Sequence, residues 1–236
     1  MRIATVLLPL LGLLLLGCSS KEQAADADVS ATSTLGELQH GFTLNDATQE
    51  KFEEGLLLLH NFEYEDALTA FEAATALDST EVLTHWGEAM CHYKALWRLQ
   101  NTEKGRAVLA RLGDTKAERL ASISDPLEKA LWEMVEIMYG EGQFDERNQA
   151  LVQHLATQHS QYPKNQEIAA FYALSLVWAT ETYGDGSEDL RLAAAIADEV
   201  AVAIKRLGAV DEIGGVLQGG NLGAAELLQH QLVGRL

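Results

Sequence analysis

The chain has few cysteines, few prolines and a shortage of basic side chains. Its 236 residues include two Cys and three Pro, and 17 Lys and Arg stand against 35 Asp and Glu, which gives a net charge of −18. Two cysteines cannot form a disulfide framework or a multi-cysteine metal site. An acidic surface also repels the phosphates of nucleic acids. We therefore expect neither a disulfide-stapled fold nor a nucleic-acid partner.

Residues that favour strands are also scarce. The chain contains 19 Val and Ile together, against 38 Leu and 33 Ala. Leu and Ala are good helix formers, whereas β-branched residues favour strands. The hydrophobic content of 47% is enough for a packed core, which excludes disorder for most of the chain. The composition predicts an all-α fold.

The first 17 residues differ in composition from the rest of the chain. They carry one charge, Arg2, followed by an apolar run from Val6 to Leu16. This run is too short to span a bilayer, and the order of charge and apolar run is that of a secretory signal peptide. We therefore predict a cleaved signal peptide over residues 1–17.

The sequence at the expected cleavage site carries its own signal. Gly17 precedes Cys18, and Ser19 follows it. This pattern resembles the lipobox of bacterial lipoproteins, in which the cysteine becomes the lipidated N-terminus. The resemblance implies a membrane anchor on Cys18, and Ser19 in place of Asp implies sorting to the periplasmic face of the outer membrane. The alternative is an ordinary secretory signal in which Cys18 is incidental.

Composition divides the mature chain into three parts. Residues 18–42 are rich in Ser, Ala, Asp and Thr without an apolar period, which predicts a flexible tether. Residues 43–207 have a helical apolar period and are predicted to form the folded domain. Residues 208–236 contain seven glycines, and glycine opposes helix formation. We expect this tail to be mobile.

Within the domain, the apolar period predicts seven or eight helices joined by short links. The predicted helices lie near 46–60, near 65–77, after Ser79, between Asp125 and Gly140, and near 145–160, 166–181 and 187–207. Asp125, Pro126 and Glu128 form the pattern of a capping box with Pro at the first helical position. Little of the domain remains for a sheet.

The spacing of small and aromatic residues is more specific than the helices themselves. Offsets of 0, 9, 12, 16 and 19 separate Gly55, Tyr64, Ala67, Phe71 and Ala74, and Ala89 lies 34 residues after Gly55. This pattern resembles the tetratricopeptide repeat (TPR), in which small residues let paired helices approach closely and large ones fill the gap to the next hairpin. A looser copy over 127–163 has Arg147 where Ala is expected, and another covers 166–207.

A second string supports the same resemblance. The run from Trp86 to Met90, Trp-Gly-Glu-Ala-Met, together with Leu96 and Trp97, is similar to a bacterial family of secreted or lipid-anchored TPR proteins whose biochemical role is mostly unassigned. The resemblance implies a helical-hairpin solenoid of about three to four degenerate repeats. It also implies a protein or peptide of the cell envelope as the partner.

The family's groove positions can be carried over to this chain. The first helix of each TPR hairpin lines a concave groove that binds peptides or helices. The resemblance places these residues there: Phe52, Leu56, Leu59, Trp86, Met90 and Tyr93, with Lys94 beside them. Such a groove suits hydrophobic anchors. The alternative is that some of these residues face the interior, because a short array can fold back on itself.

One residue set suggests a different function. His85, Glu88 and His92 lie at offsets 0, 3 and 7 on one helical face, and these residue types can bind zinc. A metal-dependent hydrolase or a metal-binding protein is therefore the alternative to a binding scaffold. No phosphate loop, G-x-S-x-G elbow or H-E-x-x-H motif occurs in the sequence. We expect a protein without catalytic activity and without a cofactor.

Overall fold

The computed structural model describes residues 38, 40–94, 97, 99–179 and 187–211. In the last of these segments, side chains are described for residues 188–202 only. This part of the chain is mostly helical, which confirms the all-α prediction. Its helices are α1 (Gln49–His60), α2 (Tyr64–Leu77), α3 (Val82–Cys91), α4 (Thr102–Ala110), α5 (Lys116–Ser122), α6 (Pro126–Met138), α7 (Phe144–Gln161), α8 (Gln166–Ala179) and α9 (Ser187–Asp211). None of these helices is both long and apolar enough to cross a membrane.

Consecutive helices pack against each other along most of this chain. Contacts join α1 to α2, α2 to α3 and α3 to α4. They also join α6 to α7, α7 to α8 and α8 to α9. Short turns between apolar-faced helices favour such hairpins. Two further contacts, α1 with α3 and α3 with α6, bring the hairpins together around α3. The helix α3 is therefore the centre of the domain, and its residues Leu83 to Cys91 are all buried.

The aromatic ring of Phe71 shows how the first three helices approach so closely. A Cβ atom at Gly55 on α1 would lie 2.9 Å from this ring, and one at Gly87 on α3 would overlap it. Two glycines on neighbouring helices thus make the space that the ring fills. Ala67 and Ala74 on α2 are fully buried beside them. The small residues of the first predicted repeat therefore let the helices approach closely, as their spacing predicts.

Two helices and a short β-ribbon were not predicted. The strands β1 (Tyr93–Lys94) and β2 (Leu99–Gln100) pair antiparallel between α3 and α4. The helix α4 is capped by Asn101, and α5 begins with a capping box formed by Thr115 and Glu118. The Thr-x-x-Glu spacing of that box was a readable signal. The helices are short and have few apolar residues, so the hydrophobic period did not reveal them.

Arg147 replaces the expected Ala for a structural reason. Arg147 is 7% exposed. It donates to the carbonyl oxygen of Met138 at 2.9 Å, to that of Gly142 at 2.5 Å and to the side chain of Gln100 at 2.7 Å. The first bond satisfies a carbonyl in the last turn of α6, which lacks a helical partner, and the second satisfies a carbonyl in the turn that follows. The third bond, to Gln100, connects the ribbon to α7. Position 147 therefore requires the long guanidinium side chain of arginine.

The boundaries of the predicted tether and tail need correction. Leu38 and Phe42 pack against the core, and the ring of His40 stacks on Phe42 with centroids 4.8 Å apart. The aromatic pair gives this part of the predicted tether a surface to bury, so the tether does not reach residue 42. The helix α9 continues to Asp211, because one glycine at 208 costs a helix only about 1 kcal/mol. Residues 1–37, which include most of the predicted tether, and residues 212–236 of the predicted tail lie outside the described residues.

We expect Gly87→Ala to destabilise the domain, although alanine is the better helix former. The added methyl group would meet the Phe71 ring, and overpacking of this kind costs about 1–3 kcal/mol. Urea unfolding followed by circular dichroism measures the change. In the Phe71→Leu background the same substitution should cost clearly less, because the ring is gone. A Gly87→Ala variant that is more stable than the wild type would contradict this packing.

Candidate functional site

The predicted groove residues lie in the core. Trp86, Phe52 and Leu56 are fully buried, and the remaining apolar members, Met90, Tyr93 and Leu59, are between 2% and 6% exposed. They therefore do not form an open binding surface in this conformation, and the expectation of an exposed groove is wrong for it. Lys94 is half-buried at the edge. The arrangement agrees with the alternative that some of these residues face the interior.

The helix α8 covers the face that the predicted groove residues form. The ring of Phe171 packs edge-on against Trp86 with centroids 5.6 Å apart, and it stacks on His60 at 5.8 Å. Trp178, near the end of α8, contacts the ring of Tyr93 at 5.9 Å. The helix is buried on several sides, which explains why its sequence is apolar without a clear stripe. An apolar helix of the same chain thus occupies the face predicted to bind a partner.

A small cavity remains beneath α8. Its volume is about 30 Å³, and its walls include Leu59, Met90 and Leu174. A space of this size holds one or two water molecules, which is too little for an organic ligand. The cavity is a packing defect between large aromatic side chains, and we assign no binding role to it.

A buried ion pair joins α8 to α1. His60 Nε2 lies 2.8 Å from Glu167 Oε2, and the two side chains are 7% and 1% exposed. Burial lowers the pKa of His60, but the carboxylate of Glu167 raises it by more, through charge and a hydrogen bond, so the pKa lies above its ordinary value. The residues are 107 positions apart, and no sequence motif links them. The pair aligns α8 on α1.

The structure does not bring the proposed metal ligands together. His85 Nε2 bonds the carbonyl oxygen of Ser79 at 2.9 Å. Glu88 accepts from Thr75 at 2.6 Å and from Arg111 at 2.5 Å, so its carboxylate is already satisfied. Within the described part of the chain, no group of three or more His, Cys, Asp or Glu side chains is arranged to hold a metal ion. The metal-site alternative therefore gains no support from the geometry.

His92 is the member of that set that reaches a surface. It lies in a groove of about 390 Å³ between α2, the end of α3, the β-ribbon and the start of α4. We call this the ribbon groove, and it is lined by Tyr64, Glu65, Leu68, Cys91, His92, Lys94, Leu99, Gln100, Asn101 and Lys104. Its volume is large enough to receive side chains of a bound peptide.

Two large apolar side chains stand exposed at the ribbon. Trp97 is 51% exposed and Leu99 is 60% exposed. The Trp97 ring is held edge-on by Phe62 and Tyr64, both at centroid distances of 5.9 Å. Phe62 adopts a φ of 63°, a backbone conformation that costs a non-glycine residue about 1–3 kcal/mol. This strained turn places an aromatic side chain against Trp97, so the exposed indole packs on two other rings.

The charges of the ribbon groove differ from those of the whole chain. Burial lowers the pKa of His92, and the nearby cations Lys104, Lys94 and Arg111 lower it further, against the opposing effect of Glu88. The Lys94 ammonium lies 5.0 Å above the Tyr64 ring and contacts Glu65 at 2.5 Å. In a chain with 35 acidic residues, His92 thus has three cations against one carboxylate in its surroundings.

Sequence reasoning missed the ribbon groove, although it identified some of its residues. Trp97 belonged to the string that carried the family resemblance, and Lys94 was placed beside the predicted groove. The groove depends on the ribbon, whose two-residue strands are too short to give a period in the sequence. Exposure of Trp97 follows from its position in the short connection between two strands, which only the fold defines.

We expect the stability contributed by the His60–Glu167 pair to depend on pH. Because the pKa of His60 is raised on folding, this contribution is full below about pH 6.5 and is lost as pH rises through the folded-state pKa. Glu167→Gln should destabilise the domain by about 3 kcal/mol near pH 5.5, and by less at higher pH. Urea unfolding at several pH values measures both.

A less buried pair provides the matched control for this measurement. His154 Nδ1 lies 3.7 Å from Glu133 Oε2, with 11% and 33% of the side chains exposed. Glu133→Gln should change the free energy of unfolding by less than about 1 kcal/mol at every pH. An effect of Glu167→Gln that is equally large at high and low pH would contradict the protonated pair.

Comparisons with known proteins do not add to this description. No family model matches the chain, and neither a curated protein nor a solved structure matches it significantly. The fold and the ribbon groove are therefore interpreted from the residues and their geometry alone.

Proposed function

We propose that this protein is a lipid-anchored scaffold of the bacterial cell envelope that binds protein partners and does not catalyse a reaction. The anchor is Cys18, which would hold the domain at the periplasmic face of the outer membrane. Cys18 and the signal peptide lie outside the described residues, so the lipobox sequence is the support for this part of the proposal.

The scaffold is best described as a closed, TPR-like array of about three to four degenerate hairpins. The spacing of Gly55, Phe71 and Ala89, together with the tight packing at Phe71, supports this description. Two features depart from an open TPR solenoid. A ribbon interrupts the hairpin of α3 and α4, and α8 lies on the face of α1 and α3. A partner would therefore bind outside the family's usual groove.

The observation that carries the proposal is the pair of exposed apolar side chains at the ribbon groove. Trp97 and Leu99 adjoin a concave surface with polar and charged residues. Aromatic anchors beside polar groups are typical of protein interfaces, where a few such residues supply most of the binding energy. We therefore assign partner binding to the ribbon groove rather than to the buried residues on α1 and α3.

Site-specific crosslinking in living cells tests this assignment. A photoreactive amino acid placed at position 97 or 99 should form a discrete adduct with one envelope protein. Leu77 and Leu192 are also exposed, by 57% and 42%, and lie on other surfaces, so the same residue there serves as a control. Adducts are detected by immunoblotting and identified by mass spectrometry. Equal labelling from all four positions, or none from any, would count against the ribbon groove.

The anchor is tested separately from partner binding. Cys18→Ala should move the protein from the membrane fraction to the soluble periplasmic fraction and abolish incorporation of labelled palmitate, because the acyl chains attach to this thiol. Cys91→Ala is the matched control, since Cys91 is buried and cannot be acylated in the folded domain. A Cys18→Ala protein that remains lipidated and membrane-bound would refute the anchor.

A further inference from the structure

The ribbon groove contains cations that a ligand can reach. Lys104 is exposed on α4 and makes no ion pair with another described residue. Lys94 is paired with Glu65, whose side chain is 83% exposed. Exposed pairs of this kind contribute little to stability, so an incoming carboxylate can replace Glu65 at small cost. One free ammonium group and one that can exchange its partner thus face the same concave surface.

The apolar part of the groove lies next to these cations. Leu68 and Leu99 line it, and Trp97 stands beside it with its ring held by Phe62 and Tyr64. A side chain whose position is already fixed loses little conformational entropy when it binds. The surface therefore offers an apolar contact and a cationic contact within one groove of about 390 Å³.

We infer that the ribbon groove recognises an acidic, extended segment of its protein partner, in which carboxylates pair with Lys94 and Lys104 and an apolar side chain packs against Trp97 and Leu99. This inference rests on the proposed function and specifies the chemistry of the partner. Charge complementarity supports it, because Lys94 and Lys104 both line this groove in a strongly acidic protein.

An anionic membrane surface is the competing ligand for the same cations. The shape of the site favours a peptide, because the polar groups line a recess that a flat bilayer cannot enter. The charge of the whole chain, −18, also repels an anionic bilayer over a wide area, whereas a short segment meets only the local charges. Binding to vesicles is therefore included as an outcome of the test.

The test uses the full lipidated chain in neutral detergent micelles and a defined probe. The probe is an octapeptide of alternating Glu and Leu, and the matched peptide has Lys in place of Glu. Trp97 reports binding through its fluorescence, because the other three tryptophans, Trp86, Trp132 and Trp178, are at most 6% exposed. The acidic peptide should shift the emission to shorter wavelength, and the basic peptide should not.

Variants with opposite effects make the test specific. Lys104→Glu and Lys94→Glu should each weaken binding of the acidic peptide roughly tenfold, through loss and reversal of a charge-assisted contact. Glu65→Gln should strengthen it, because Lys94 loses its competing carboxylate. Lys164→Glu and Glu188→Gln make the same changes in net charge at exposed positions on other elements, and should leave the affinity within about twofold.

A second readout separates groove binding from adsorption elsewhere. Bound carboxylates should raise the pKa of His92, which nuclear magnetic resonance follows through the ring proton shifts as pH is varied. Absence of that change, equal binding of the two peptides, or equal weakening by the control variants would overturn the inference. Binding to phosphatidylglycerol vesicles without binding to the acidic peptide would also overturn it.

The result can be distinguished from failure of the proposed function. If crosslinks from position 97 to an envelope protein persist in Lys104→Glu and Lys94→Glu, the ribbon groove binds a partner but not through its acidic groups. If crosslinks from positions 97 and 99 are absent in the wild type, the proposed function itself fails.

Discussion

The side-chain contacts of α8 with α1, α3 and the ribbon decide whether the face predicted to bind a partner is open. Trp86 and Tyr93, which the repeat pattern would place on a partner-binding face, contact rings of α8 and are buried. Burying large apolar side chains contributes about 1.5–3 kcal/mol each, so the domain gains stability when its own chain covers this face. Among the described residues, the large apolar side chains that stay exposed include Trp97 and Leu99 at the ribbon, away from this covered face. Internal packing therefore closes the face that the repeat pattern predicted to be open.

Polar groups at this contact give it a specific geometry. Apolar packing between α8 and its neighbours tolerates small shifts, because Phe171 and Trp178 contact broad aromatic faces. The buried pair of His60 and Glu167 does not tolerate such shifts, because a displaced partner would leave a buried charge without compensation. Tyr93 donates a hydrogen bond to the buried side chain of Asn148, which links the ribbon to α7 in the same way. Directional bonds thus select one arrangement among several that the apolar surfaces would accept.

Much of the fold could be predicted from the sequence, and the reason is local. The hydrophobic period located seven of the described helices to within a few residues, and Asp125 with Pro126 marked the start of α6. The candidate site was predicted less well. The family pattern assigns groove positions by their place in a repeat, but a repeat pattern contains no information about what packs on that face. His85 and Glu88 likewise shared a helical face, yet each bonds a different neighbour inside the domain.

The sequence by itself determined the helical class, the close approach of the first hairpins and the acidic character of the chain. These properties follow from composition and from spacings of at most a few tens of residues, such as Gly55 and Phe71. Only the tertiary structure decided that α8 closes the predicted groove and that the ribbon exposes Trp97. These depend on contacts between residues far apart in the chain, such as His60 with Glu167, and on a ribbon too short to leave a period. Long-range contacts depend on the fit between surfaces that are distant in the chain, and a local sequence pattern does not predict that fit.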